Sequence, residues 1–178
     1  MHLQADLLDE SQVIRMFAQV AASEFELRAL VNSAAVMSRG DLREMSVEDW
    51  DATLALNLRA PWLCARQAAL LMPAGSVIIN IGDAGITRVW TGYPAYAVSK
   101  AGLEMLTRLL AKTLAPRIRV NAVAPGLILP AEDLPEGEWQ RLVQRLPLQR
   151  PGNVENLIQA VNLLLDNEYM TGQTIVVD

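Results

Sequence analysis

Tyr96 and Lys100 stand four residues apart in the stretch GYPAYAVSKAGLEML. On an α-helix that spacing places both side chains on one face. An ammonium beside a phenol favours the phenolate, so Lys100 is expected to lower a tyrosine pKa that starts near about 10. Such a phenol exchanges protons at neutral pH and could serve as a general acid or base. The pattern alone also fits a Tyr–Lys pair on a solvated helix face.

The pair needs a scaffold, and the chain alternates in a way that supplies one. Apolar or β-branched runs at 27–32, 75–82, 118–126 and 172–178 read as strands. Helical patterns lie before and between them. The stretch DESQVIRMFAQVAAS has apolar positions at Val13, Ile14, Phe17 and Val20, with Asp9 or Ser11 as its cap. A second begins at Ser46, three residues before Asp49, close to a capping box, and Pro61 inside it is expected to kink or break the helix. Residues 96–114 form a third, and Asn153 opens a fourth. Residues 127–137 read as the longest irregular segment. The alternation predicts one α/β domain over residues 1–178, a doubly wound parallel sheet between two helical layers.

Ligands of such sheets sit beyond the carboxyl ends of the strands. Those ends are Asn32-Ser33-Ala34-Ala35, Gly82-Asp83-Ala84-Gly85 and Pro125-Gly126-Leu127-Ile128. Small residues there would let a ligand approach the backbone, although each stretch also suits a plain tight turn.

Composition narrows the classes. Hydrophobic residues make up 52% and charged residues 20%, as in globular rather than disordered chains. The net charge of -5 and the lack of a basic stripe give nucleic acid no surface. One cysteine, Cys64, excludes an internal disulfide, and with a single histidine, His2, a zinc site is not expected. No long apolar run or signal-peptide pattern occurs, so no membrane partner is expected and a cytoplasmic location is the default.

Read together, these segments resemble the short-chain dehydrogenase/reductase family. LVNSAAV resembles its LVNNAG segment, with Asn32 matching and Ser33 and Ala35 departing. LALNLRAPW resembles the helix carrying the family's active-site asparagine, here Asn57. YAVSK matches the catalytic Tyr-x-x-x-Lys, and IRVNAVAPGLI the strand and turn that receive the nicotinamide. ADLLD resembles the end of the third strand, where Asp6 would contact adenine beside Leu7. YMTGQTIVVD resembles the last strand.

The resemblance implies a Rossmann-like fold and hydride transfer from NADP or NAD, NADP favoured, to a small-molecule substrate. Tyr96 would give the proton, Lys100 would hold the ribose, and Asn57 would position a relaying water. Asp6, Leu7, Asn32, Ala34, Tyr96, Lys100, Pro125, Gly126, Leu127 and Ile128 would contact the cofactor. It also implies a homodimer or homotetramer formed through the helices at about 46–72 and 96–114. Leu54, Leu58, Trp62 and Cys64 on the first, and Leu103, Met105, Leu106, Leu109 and Leu110 on the second, would add apolar surface beyond one face.

The chain departs from the family pattern twice. Thirteen positions before Tyr96, where the family usually has serine, stands Asp83. A carboxylate accepts N–H hydrogen bonds, which suits a nitrogen heterocycle better than a ketone. This arrangement, with NLRAPW and LPLQRPG, resembles the pteridine reductase subgroup, including dihydromonapterin reductases; Asp83 as a simple turn cap is the alternative. Trp90, Tyr93 and part of the segment to Trp139 would wall the pocket. The second departure is that no G-x-G-x-x-G phosphate loop occurs in the 178 residues. In the family's strand order 3-2-1-4-5-6-7 this means that the first two strands are missing and the strand at 27–32 becomes an edge. The chain is then expected to be part of a longer enzyme, to be completed by another chain, or to be a truncated homologue acting as a non-catalytic binding or scaffold module.

Overall fold

The computed structural model describes residues 1–130, 134 and 136–178, apart from the side chain of Glu136. Four strands, β1 (Ala29–Asn32), β2 (Ser76–Ile81), β3 (Ile118–Pro125) and β4 (Thr174–Val177), form one sheet in the order β1-β2-β3-β4. Every pairing is parallel. The two central strands are almost wholly buried, which is why they read as continuous apolar runs rather than alternating ones.

Among the described residues, six α-helices accompany the sheet: α1 (Glu10–Ala21), α2 (Val47–Leu54), α3 (Ala60–Leu71), α4 (Pro94–Leu114), α5 (Glu136–Gln144) and α6 (Val154–Asp166). Val13 and Phe17 of α1, Leu63 and Ala68 of α3 and Ala111 of α4 pack on Ile78, Ile118 and Val120 on one face. Ala160 and Leu164 of α6 cover Val77, Ile79 and Val123 on the other. The sheet is therefore layered on both sides, as the alternation predicts. Full burial of a side chain such as Leu164 is worth about 1.5–3 kcal/mol. On this second face Val31 of β1 remains 45% exposed, and the outer edge of β1 pairs with no described strand. Residues 2–6 likewise run without strand pairing and lead into a turn, in which Asp6 accepts from the Leu8 N–H.

The helix ends follow local chemistry. Asp9, not Ser11, caps α1; Ser46 caps α2, and Asn153 forms a reciprocal capping box with Asn156 on α6. Arg117 and Arg119 satisfy carbonyls at the far ends. Arg117 donates to Ala69 in the last turn of α3 and to Met72 just after it, and Arg119 to Leu164 and Leu165 of α6. The break expected at Pro61 occurs one turn earlier. Pro61 has no N–H for the carbonyl of Asn57, and the chain takes a wider π turn over Ala55–Arg59 before α3 begins.

The segment expected to be irregular from 127 to 137 ends sooner, because α5 already starts at Glu136; Trp139, expected in a loop, is helical. Residues 131–133 and 135 of that segment lie outside the described residues. Among the described residues, no helix is long and apolar enough to cross a membrane.

Candidate active site

The carboxyl ends of β1, β2 and β3 lie along one edge of the sheet, and α4 starts beneath it. Its first two turns bury Tyr96 (8% exposed) and Lys100 (4% exposed). The Tyr96 hydroxyl donates to Asp83 Oδ2 at 2.6 Å, and Asp83 Oδ1 accepts from the Gly85 N–H at 2.6 Å. Turn capping and contact with the tyrosine, opposed as alternatives in the sequence, are both made, because a carboxylate has two oxygens. Lys100 Nζ donates to the Ile81 carbonyl at 2.8 Å and lies 5.7 Å from the centre of the Tyr96 ring.

This geometry corrects the expected electrostatics. Burial, and then the hydrogen bond and negative charge of Asp83, raise the Tyr96 pKa well above its ordinary value. Lys100 does not reverse this. Burial lowers its own pKa, and the Asp83 charge only partly opposes that. The phenol therefore keeps its proton, held first by burial and then by the Asp83 carboxylate.

Asn57 sits in the π turn, 1% exposed. Its side chain accepts from the Val36 N–H at 2.9 Å and donates to the Val36 carbonyl at 2.8 Å and to Ser99 Oγ at 3.0 Å. Ser99 in turn donates to the Tyr96 carbonyl. The Asn57 side chain thus fastens the loop after β1 to the helix that carries the tyrosine. Asn32 donates to Asn80, and Asn80 to Thr107, in a chain that ties β1 through β2 to α4.

Asp83, Gly85, Trp90 and Leu127 line a cavity of about 290 Å³, and Leu142 and Arg145 from the end of α5 also line it. An added Cβ at Gly85 would lie 2.4 Å from the Trp90 ring, so glycine allows the indole to lie against this turn. Val89, just before Trp90, is held in the left-handed region at φ 51°, a strained conformation for a β-branched residue. Tyr93 does not line this cavity, contrary to expectation. Its hydroxyl accepts from Arg39 Nε at 2.6 Å, and Arg39 also reaches Glu138 on α5 at 3.1 Å. Gly126 is close-packed too, but against the chain's own Asp178, which pairs with Arg88 at 2.5 Å.

The expected cofactor residues divide. Leu7, Asn32 and Ala34 line one cavity of about 280 Å³ beside β1. Pro125, Gly126 and Leu127 line the cavity beside Asp83. Ile128 turns toward Gly152, where its Cδ1 would meet an added Cβ at 2.7 Å, and Asp6 lines neither cavity. Among the described residues there is no cluster able to hold a metal ion.

Residues 1–178 match the family model described as enoyl-(acyl carrier protein) reductase. The chain belongs to the short-chain dehydrogenase/reductase family. It is 34% identical to the 3-oxoacyl-[acyl-carrier-protein] reductase FabG of Thermotoga maritima over 97% of this chain and 73% of that protein. A blue fluorescent protein from a metagenomic library, solved with NADPH, superposes with a TM-score of 0.90 at 36% identity, over 98% of this chain and 73% of its own. The FolM alternative dihydrofolate reductase 1 of Brucella canis, solved with NADP, gives 0.91 at 33% identity, over 99% of this chain and 70% of its own.

Sequence reasoning missed the charged residues Arg88, Arg145 and Asp178, which line the cavity beside Asp83. No local motif marks them. One faint signal was present in EGEWQRLVQRL, where Trp139, Leu142, Val143 and Leu146 recur at helical spacing and announce α5.

Proposed function

We propose that this chain is the catalytic portion of an NADP(H)-dependent short-chain reductase acting on a pterin-like nitrogen heterocycle. The observation that carries this reading is the 2.6 Å bond from Tyr96 to Asp83, a residue that lines a cavity together with Trp90. Asp83 offers a flat heterocycle acceptors for its ring and amino N–H groups, and Trp90 offers a face for stacking. The similarity to the FolM alternative dihydrofolate reductase 1 of Brucella canis, solved with NADP, supports the same choice.

The residues present suit a nicotinamide cofactor at both ends. Lys100 spends one of its three hydrogens on Ile81 and keeps two for ribose hydroxyls. Leu7, Asn32 and Ala34 offer a slot on the adenine side, with Asp6 next to it, and the backbone from Pro125 to Ile128 would meet the carboxamide. When bound, the reduced nicotinamide supplies the hydride. Tyr96 holds the proton at Oη. A substrate that donates its N–H groups to Asp83 draws the carboxylate away from that hydroxyl and frees the proton for transfer. Asn57 keeps α4 and the loop after β1 in register while this happens. The outward faces of α3 and α4, with Trp62, Met105 and Leu109 each more than 40% exposed, are the surface through which copies of the chain would associate. Cys64, Leu103 and Leu110, which were counted toward that surface, belong to the interior.

Asp83→Ser tests the reading. Loss of a charged acceptor is worth about 1.5–3 kcal/mol, so kcat/KM for a dihydropterin should fall between about tenfold and about 150-fold, while a simple carbonyl substrate is spared. Unchanged dihydropterin reduction would remove the heterocycle from the proposal.

A further inference from the structure

The cavity beside Asp83 does not end at Arg145. Four residues, Arg88, Leu127, Leu146 and Asp178, also line a second cavity of about 380 Å³, so the two adjoin. The second is walled by apolar Pro147 and Leu148 and carries Arg150, Asn156 and Gln159.

The charges in these walls do not balance. Asp178 is taken by Arg88 at 2.5 Å. Asp83 is hydrogen-bonded by the neutral Tyr96 hydroxyl and Gly85 N–H and keeps its charge, so the walls hold three arginines against two aspartates, a surplus of one positive charge. Arg145 and Arg150 remain, and neither forms an ion pair with any described residue. Beside the paired Arg88, one guanidinium without an ion pair to a described residue thus lines each cavity, in a chain whose net charge is -5. Gln149, immediately before Arg150, is held at φ 50°, a left-handed conformation that costs about 1–2 kcal/mol in a residue other than glycine. With Val89 beside Arg88, a strained residue thus adjoins the lining of each cavity.

We propose that the substrate is elongated, with a flat head at Asp83 and Trp90 and a tail bearing carboxylates that runs past Leu127 and Leu146 to Arg145 and Arg150. Guanidinium groups match carboxylates as bidentate partners, and the apolar walls between them carry the linker. The choice of a heterocyclic head rests on the function proposed above; the anionic tail rests on the second cavity and the two arginines. These arginines act as specificity residues, not as proton donors or acceptors in the reaction. Competing with this is a purely electrostatic role for Arg145 at the C-terminal end of α5, where a cation complements the helix dipole.

Calorimetric titration of the 178-residue chain with four probes separates the possibilities. The first pair is 7,8-dihydrofolate, with a carboxylate tail, and 7,8-dihydrobiopterin, with a neutral one. The second is 6-oxoheptanoate and its methyl ester. The wild-type chain should bind dihydrofolate about tenfold or more tightly than dihydrobiopterin, a preference that shrinks as salt is raised. Arg145→Gln and Arg150→Gln should each reduce that preference and the double variant abolish it, with dihydrobiopterin affinity unchanged. If both pterins fail to bind but the oxo-acid is preferred over its ester in an arginine-dependent way, the heterocyclic head is wrong and the anionic tail stands. Equal affinity within both pairs, a preference that survives the double substitution, or no binding of any probe overturns the proposal.

Discussion

The corner that holds Tyr96 and the rim that faces it are built in opposite ways. In the corner, Asn57, Asn80, Ser99 and Lys100 are all buried, and each has a defined hydrogen-bond partner. On the rim, Trp90 is 37% and Val89 75% exposed, and the ties are surface ion pairs such as Arg39–Glu138 and Arg88–Asp178. A buried polar group without a partner is costly, so the corner can exist in only one arrangement. Surface pairs are weak, so the rim can change at little cost to the fold. Reaction chemistry sits where the structure is over-determined, and substrate choice where it is not.

Substitutions at the two regions should diverge accordingly. The largest effect is expected from Tyr96→Phe, which removes the proton donor and should lower kcat by about 10²–10⁴. It should leave the fold intact, since the ring stays, and cost only the stability of the one hydrogen bond to Asp83. Tyr96 should also ionise only above the ordinary tyrosine range in an alkaline spectrophotometric titration, because its pKa is raised by burial and by Asp83. The sign follows from this shift: stability drawn from a protonated Tyr96 is fully present below the ordinary tyrosine range and is lost as the pH climbs through the higher folded value. In the phenylalanine variant that late step should vanish. Retention of the step, or of more than a tenth of the turnover, would show that another group gives the proton.

Asn57→Ala should come next and should act on the fold instead. It strips partners from Val36 and Ser99 and should cost about 1–3 kcal/mol in urea denaturation. A variant as stable as wild type but slower in turnover would transfer Asn57 from positioning to chemistry.

The smallest structural effect belongs to Arg39→Ala. Its side chain is largely exposed, so thermal unfolding should be unchanged. Releasing Tyr93 and Glu138 loosens α5 against the loop after β2, so KM should rise with little change in kcat. A loss of stability in this variant equal to that of Asn57→Ala would erase the contrast between rim and corner.

The sequence by itself determined whatever depends on neighbours along the chain. Strand runs, the caps at Asp9, Ser46 and Asn153, the disturbance before Pro61 and the i,i+4 relation of Tyr96 and Lys100 are local, set by backbone sterics and side-chain period. It also pointed to Asp83 by position. Only the tertiary structure decided what surrounds these groups. The expected fall in the Tyr96 pKa became a rise because burial and the Asp83 carboxylate, thirteen residues away, outweigh a lysine one turn along the helix. The packing of Gly126 against Asp178, the removal of Tyr93 to Arg39 and the meeting of Arg145 and Arg150 along two adjoining cavities join parts of the chain far apart in sequence. Electrostatic effects depend on distance and desolvation in space, and no local spacing encodes either.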